Sequence, residues 1–252
     1  RLDNGWSVTL SDGTTRTAPL VVGADGKKSL VRAAAGLHAT EHQFSQSALV
    51  CDLELERPIG GTSIEFHYPQ GPFTLVPAGG NRANLVWIDN AQVLAAAQAG
   101  GTDRLLALLA EKSQRLFGRI TPATPSFVFP LSSLTVSSAG RNGVVLTGES
   151  AHAFPPIGAQ GLNLGLRDVA DLAIALAASD RSGSGWADAV STDYAARRAA
   201  DLARTGGMVD TLFRSLLADM VPAQAMRAGG LWALKLAPGL RRQAFDVGMG
   251  RR

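Results

Sequence analysis

Gly148-Glu149-Ser150-Ala151-His152-Ala153-Phe154-Pro155-Pro156-Ile157-Gly158-Ala159-Gln160-Gly161-Leu162-Asn163-Leu164-Gly165-Leu166-Arg167-Asp168 is the stretch on which the reading of this chain turns. It is entered from the apolar run Val144-Val145-Leu146, which predicts a strand covered on both faces. An acidic residue, Glu149, directly follows that strand. Pro155 and Pro156 stiffen the next loop, and Gly158, Gly161 and Gly165 let the following helix, predicted over 162–178, begin very close to something flat. A helix N-terminus presents free amide donors and a partial positive charge, which suits a ligand edge where negative charge accumulates. A plain junction with glycines for tight packing is the alternative, but the length and order of the pattern argue against it.

A second stretch of the same texture lies upstream. The apolar run Leu20-Val21-Val22-Gly23 ends at Gly23-Ala24-Asp25-Gly26, and a short helix is predicted over 29–35. Strand, glycine turn and helix in this order are the parts of an α/β nucleotide-binding sheet. The two glycines let backbone approach a ligand, and Asp25 either accepts hydrogen bonds from ribose or sugar-alcohol hydroxyls or orients the loop. An ordinary βα turn reads the same way.

Between these stretches the texture is that of a β-meander. Short strands are predicted over 47–56, 62–67, 73–77 and 83–88, punctuated by Gly60-Gly61, Gln70-Gly71 and Gly79-Gly80-Asn81. Helices follow over 93–99 and 103–117, the latter with Leu105, Leu108, Leu109, Lys112 and Leu116 on one side and Thr102 or Asp103 as its cap. A strand is expected over 126–131. Beyond Ala178 the chain reads as helical, over 187–204 and 208–217 and in apolar pieces around Trp232 and Phe245. At the other end, Arg1 to Leu10 runs without an initiator Met into an alternating strand, a Ser11-Asp12-Gly13 turn and a returning strand over 15–22. A chain that opens in mid-hairpin is expected to be part of a longer one.

Composition narrows the function. The 252 residues are 46% hydrophobic with a formal net charge of +3. Basic residues are scattered in short clusters, so the dense stripe of a nucleic-acid binder is absent. Cys51 is the single cysteine and sits in an apolar strand, which reads as an inert buried thiol and suits a reducing cytosol. No apolar run reaches the roughly eighteen residues that span a bilayer. His38, His42, His67 and His152 lack metal-ligand spacing, and no nucleophile with its base is evident.

The segments from Gly23 to Arg32 and from Gly148 to Asp168 resemble the second and third fingerprints of the group A flavoprotein monooxygenases, the p-hydroxybenzoate-hydroxylase fold. Within that superfamily, Gln46-Ser47-Ala48-Leu49-Val50, the stretch from Tyr68 to Pro77 and the stretch from Ala159 to Val169 are similar to the ubiquinone-biosynthesis hydroxylases. The tail around Tyr194 to Arg198 and Asp210 to Phe213 fits the same branch. The resemblance implies a mixed α/β fold. A Rossmann-like FAD-binding domain (1–40 and 137–181) is interrupted by an antiparallel β-sheet substrate domain (41–136) and followed by a helical region (182–252).

It also implies site residues. Asp25 and Gly26 match the pair that contacts the FAD pyrophosphate region and borders the nicotinamide approach. Gly148 and Glu149 match the turn whose acidic residue binds the ribitol hydroxyls, where the family usually carries Asp. The extra methylene of Glu149 is expected to weaken FAD binding without abolishing it. Pro155, Pro156 and Gly158 match the loop against the flavin ring, and Gly161, Leu162 and Asn163 the helix start that faces it. His152 either borders the substrate cavity or is a hydrogen-bonded packing histidine. Phe73 and Tyr68, with Phe66 and Trp87, are candidate lining residues or core.

The implied reaction is hydroxylation of a phenolic ring, a polyprenyl phenol in this branch, with FAD as cofactor, O₂, and NAD(P)H as co-substrate. The apolar tail would cover a prenyl tunnel, touch a membrane surface or a biosynthetic complex, or simply pack on the domain. The family's first fingerprint, a Gly-x-Gly-x-x-Gly turn, has no match here, so this stretch alone is expected to bind FAD poorly. Another flavoenzyme of this fold, such as a reductase or halogenase, and a non-catalytic scaffold subunit are the rival expectations.

Overall fold

The computed structural model describes residues 1–156, 160–217 and 221–248. The first part of the chain forms β1 (Trp6–Thr9), β2 (Thr15–Ala18), β3 (Val21–Gly23), α1 (Leu30–Ala34) and the long β4 (Ala39–Leu55). A meander follows: β5 (Ile64–Tyr68), β6 (Gly71–Pro77), β7 (Arg82–Asn90), α2 (Ala91–Ala99), α3 (Thr102–Lys112), β8 (Ile120–Pro122) and β9 (Phe127–Val136). Then come β10 (Gly140–Arg141), β11 (Val144–Leu146), β12 (His152–Ala153), α4 (Gln160–Ala177), α5 (Trp186–Leu217), α6 (Val221–Leu236) and α7 (Pro238–Gly248). The fold is mixed α/β, in two compact units. One holds Arg1–His42, Ser132–Leu212 and Ala233–Arg252; the other holds Gln43–Leu131 and Phe213–Trp232.

In the first unit a three-stranded sheet runs β10-β11-β3, with β11 and β3 parallel and Val144, Val145 and Leu146 opposite Val21, Val22 and Gly23. Parallel pairing brings the turns after both strands out at the same end, which is where ligands bind in open α/β sheets. Val144, Val145 and Leu146 are wholly buried, packed with Leu164, Leu172 and Ala175 of α4 and Val190, Tyr194 and Leu202 of α5. Their uniform apolarity is explained by cover on both faces. The apolar run Leu20 to Gly23 reads as a strand covered on both faces in the same way, and β3 departs from that expectation: among the described residues it has one neighbour in the sheet, and Val22 is 46% exposed.

α5 corrects a second expectation. The pair Gly206-Gly207 reads as a break between two helices, yet one helix runs through it for 32 residues. Two interior glycines cost roughly 1 kcal/mol each against alanine. Packing outweighs that cost: a Cβ on Gly206 would lie 3.5 Å from the Phe154 ring, and Leu202, Thr205 and Val209 are buried along the same helix.

In the second unit β9, β4, β7, β6 and β5 lie side by side in that order, with β8 against β4. Alternation with period two sends Leu49, Cys51, Leu53, Phe73, Leu75, Leu85 and Trp87 to one buried face. Leu94 and Ala97 of α2 and Leu105 and Leu109 of α3 close over that face. α3 starts after Gly101, not with a side-chain cap from Thr102 or Asp103, and stops at Lys112 instead of reaching Phe117. Gln114 and Arg115 both take left-handed φ values, 54° and 56°, and the reversal returns Phe117 to the core. Burial, helped by the charge of Asp52, pushes the Cys51 thiol up to about 11, as the inert-thiol reading requires.

Candidate functional site

The two turns at the ends of β3 and β11 are tied together by side chains of the first unit. The Thr147 amide donates to the Gly23 carbonyl at 2.9 Å, and the Ser150 hydroxyl donates to the same oxygen at 2.6 Å. Arg32 of α1 spans both turns, its Nη1 on the Ser150 carbonyl at 2.7 Å and its Nη2 on the Lys27 carbonyl at 2.6 Å. Lys27 in turn reaches the buried Ser132 hydroxyl at 3.2 Å. The site is therefore a stitched pair of loops with defined relative positions.

On that frame Asp25, Gly26, Gly148 and Glu149 come to the open side. Asp25 and Glu149 are exposed. Gly26 and Gly148 have φ of 78° and 59°, and a Cβ built on either meets no heavy atom within 4 Å. The backbone is thus free for close approach at both turns, and a carboxylate stands beside each. Asp25 also organises its own loop, as its Oδ2 accepts the Val31 amide at 3.1 Å. Partial burial pushes its carboxyl up, but hydrogen bonds from Ser29 and Val31 outweigh this and hold it below the usual range.

α4 approaches the same turn. A Cβ on Gly165 would lie 3.8 Å from the Gly148 Cα, so this glycine faces the turn and permits the close crossing. At the start of the helix Gly161 and Leu162 are exposed, with open space around Gly161, and Asn163 is half-buried. Pro155 is buried and Pro156 exposed. Gly158 lies outside the described residues.

Behind the turn is a buried charge network that sequence reading missed. Asp168 Oδ2 accepts the Gly148 amide at 2.8 Å and faces His152 Nε2 at 2.7 Å, while its Oδ1 accepts Arg198 Nε at 2.7 Å. Arg198 Nη1 donates to Asp171 at 2.8 Å and to Asp201 at 2.9 Å. Arg167 adds a second cation on Asp201 at 2.8 Å. Burial would push the Asp201 carboxyl up; hydrogen bonds and charges from Arg167 and Arg198 overcome this and hold it at about 2. Burial likewise acts to lower Arg198, and its three carboxylate partners outweigh it. A carboxylate can only accept, so the His152 nitrogen that faces Asp168 carries the hydrogen.

The structure brings His152 to this network and not to an open cavity. It is 2% exposed, stacked on Phe154 with centroids 6.1 Å apart. Phe73 belongs to the second unit's core with no exposed surface, in edge contact with Phe66 and tilted against Trp87. The Tyr68 hydroxyl donates to the Lys112 carbonyl at 2.6 Å, and the Lys112 ammonium sits 4.5 Å from the Tyr68 ring centre and 3.1 Å from buried Asp89.

Comparison with known proteins places this arrangement. Residues 7–205 match the model of a family described as FAD binding domain. A ubiquinone hydroxylase of Rhodospirillum rubrum is 35% identical over 248 residues, covering 98% of this chain and 58% of the relative. The 3-demethoxyubiquinol 3-hydroxylase of Escherichia coli is 32% identical over 251 residues, covering 99% of this chain and 64% of the relative. The chain thus spans about three fifths of the length of these curated relatives. Among solved structures, Klebsiella pneumoniae HpxO, complexed with FAD and uric acid, superposes with a TM-score of 0.75 at 17% identity, over 92% of this chain and 60% of its own. A probable FAD-dependent monooxygenase of Pseudomonas aeruginosa superposes with a TM-score of 0.71 at 25% identity, over 84% and 60%.

Proposed function

Since this chain belongs to the FAD binding domain family, we propose that it is part of an FAD-dependent monooxygenase that hydroxylates a phenolic ring in ubiquinone biosynthesis, using O₂ and NAD(P)H. The observation that carries the reading is the pairing of Asp25-Gly26 and Gly148-Glu149 at one end of parallel strands, with both carboxylates exposed and no heavy atom within 4 Å of a Cβ built on either glycine. The substrate class is supported by the two ubiquinone hydroxylases at 35% and 32% identity. Bound FAD would supply the redox and oxygen chemistry. Glu149 would accept from ribityl hydroxyls, the Gly26 amide would meet polar groups of the cofactor, and the first turn of α4 would offer amide donors to a negatively charged edge, while the Gly148 amide stays on Asp168. His152 would act from behind, through Asp168, without touching the ring.

The visible spectrum of the purified protein as its gene encodes it tests this. Absorption bands near the usual ~370 and ~450 nm flavin positions, bleached by NAD(P)H and restored by air, are expected. A protein that stays colourless with added FAD would sink the reading.

A polyprenyl phenol partitions into membranes, and we propose that the C-terminal helices meet that surface peripherally. No helix among the described residues is long and apolar enough to cross a membrane. Leu236, Leu240 and Phe245 are 64%, 52% and 59% exposed, with Lys235, Arg241 and Arg242 among them. Apolar and basic residues mixed on exposed helices suit an anionic interface. Co-flotation with phosphatidylglycerol vesicles is expected, and it should fall when Leu236, Leu240 and Phe245 become serine. Equal flotation of the triple variant would count against the surface.

A further inference from the structure

We infer that Arg198 is a positioning residue: it fixes the Gly148-Glu149 turn by clamping Asp168, from a helix that adds no residue to the turn itself. The inference deepens the FAD reading and rests on it for the word positioning, while the clamp stands on geometry alone.

Gly148 follows the extended Thr147 with a left-handed φ of 59°, so the chain leaves the strand direction at this residue. The hydrogen-bond partner of its amide is Asp168 Oδ2 at 2.8 Å. The Asp168 carboxylate therefore orients the Gly148 peptide, beside the contacts of Thr147 and Ser150 to the Gly23 carbonyl that hold the rest of the turn. Arg198 holds the other oxygen at 2.7 Å and is itself held by Asp171 and Asp201, with no exposed surface. Four residues earlier on the same face of α5, the Tyr194 hydroxyl donates to the Leu146 carbonyl at 2.7 Å. α5 thus grips the chain on both sides of Thr147, at Leu146 directly and at Gly148 through Asp168.

Stability alone does not explain such a device. Burying several charges carries a desolvation cost that their attraction barely repays, and apolar side chains of similar volume serve a core as well or better. What the ions provide is direction, since a guanidinium is a planar fork with fixed donor geometry. A lysine at this position keeps the charge but offers one compact ammonium, which does not reproduce the Nε contact to Asp168 while serving Asp171 and Asp201.

The test uses the protein as its gene encodes it. Arg198→Lys is compared with wild type and with Arg197→Met, which removes a surface pair of the same helix, the one with Asp193. The readouts are amide hydrogen exchange of the peptide holding Gly148 and Glu149, and the FAD dissociation constant from flavin fluorescence. Arg198→Lys is expected to raise exchange of these amides at least about tenfold and to weaken FAD about tenfold, with β6 and β7 unchanged. Arg197→Met is expected to change neither. If Arg198→Lys does not fold, the double variant Arg198→Met/Asp171→Asn, which removes one charge of each sign, takes its place with the same expectations. Unchanged exchange at Gly148 in the folded variant overturns the clamp, and raised exchange with unchanged FAD affinity overturns the positioning role. A wild type that binds no FAD defeats the cofactor reading by itself and with it the positioning role, and exchange then still decides the clamp.

Discussion

Asp168→Asn is expected to cost about 3–5 kcal/mol of stability, the range for removing one partner of a buried charge pair. Two carboxylate oxygens of Asp168 serve three donors: the Gly148 amide, His152 Nε2 and Arg198 Nε. An asparagine of the same shape has one oxygen, and its NH₂ group would point at a donor. At least one buried donor is then left without an acceptor, and Arg198 loses a third of its compensating charge. Water cannot repair the loss, because Asp168 and Arg198 are 1% and 0% exposed. For a chain of this size each kcal/mol moves the melting point by about 2–4 °C, so a fall of roughly 6–20 °C is expected. The control is Asp193→Asn, whose pair with Arg197 has side chains 42% and 34% exposed. Surface pairs contribute about 0–1 kcal/mol, so its melting point should move by a few degrees at most. Equal shifts for the two variants in a thermal melt would show that the buried network does no more than a surface pair.

The same network marks the line between what the sequence discloses and what it hides. The turns at Gly23 to Gly26 and Gly148 to Glu149 are legible because their chemistry is local: an apolar strand, a glycine that takes positive φ, an acid and a helix follow one another within a few residues. The buried face of the meander is legible for the same reason, as alternation from Leu49 to Leu55 and from Phe73 to Leu75 is written into adjacent positions. Arg198 and Asp168 are thirty residues apart, and nothing near either names the other. A signal was nevertheless present. On α4, Asp168 and Asp171 share the buried side with Leu164, Leu172 and Ala175, and on α5 Arg198 and Asp201 share it with Tyr194 and Leu202. Charges of opposite sign on two otherwise apolar helix faces call for each other, since neither is buried alone. Helix ends were less legible. α5 passes through Gly206-Gly207 because Phe154 packs there, and α3 stops at Lys112 because Phe117 has a core to return to. In both cases a contact distant in sequence overrides the local preference.

Glu149→Ala is expected to weaken FAD binding on the order of 10- to 100-fold, because a hydrogen bond to a charged group contributes about 1.5–3 kcal/mol. The side chain is exposed at a turn held from behind by Ser150, Thr147 and Asp168, so its removal leaves the fold's contacts in place and the melting point of the apoprotein nearly unchanged. That separation of affinity from stability is what distinguishes a ligand-facing carboxylate from a structural one. Glu149→Asp sharpens the point. The shorter side chain keeps the charge and is the residue that the resemblance to the flavoprotein monooxygenases implies after this strand. If the turn is fixed as tightly as its hydrogen bonds suggest, the added methylene of glutamate has to be absorbed by the rotamer, at a loss of side-chain freedom on binding. Glu149→Asp should then bind FAD at least as tightly as wild type. The measurement is fluorescence titration of the three proteins with FAD, alongside their thermal melts without it. An alanine variant that binds FAD like wild type would remove Glu149 from the site, and would leave the backbone amides and Asp25 to hold the cofactor there.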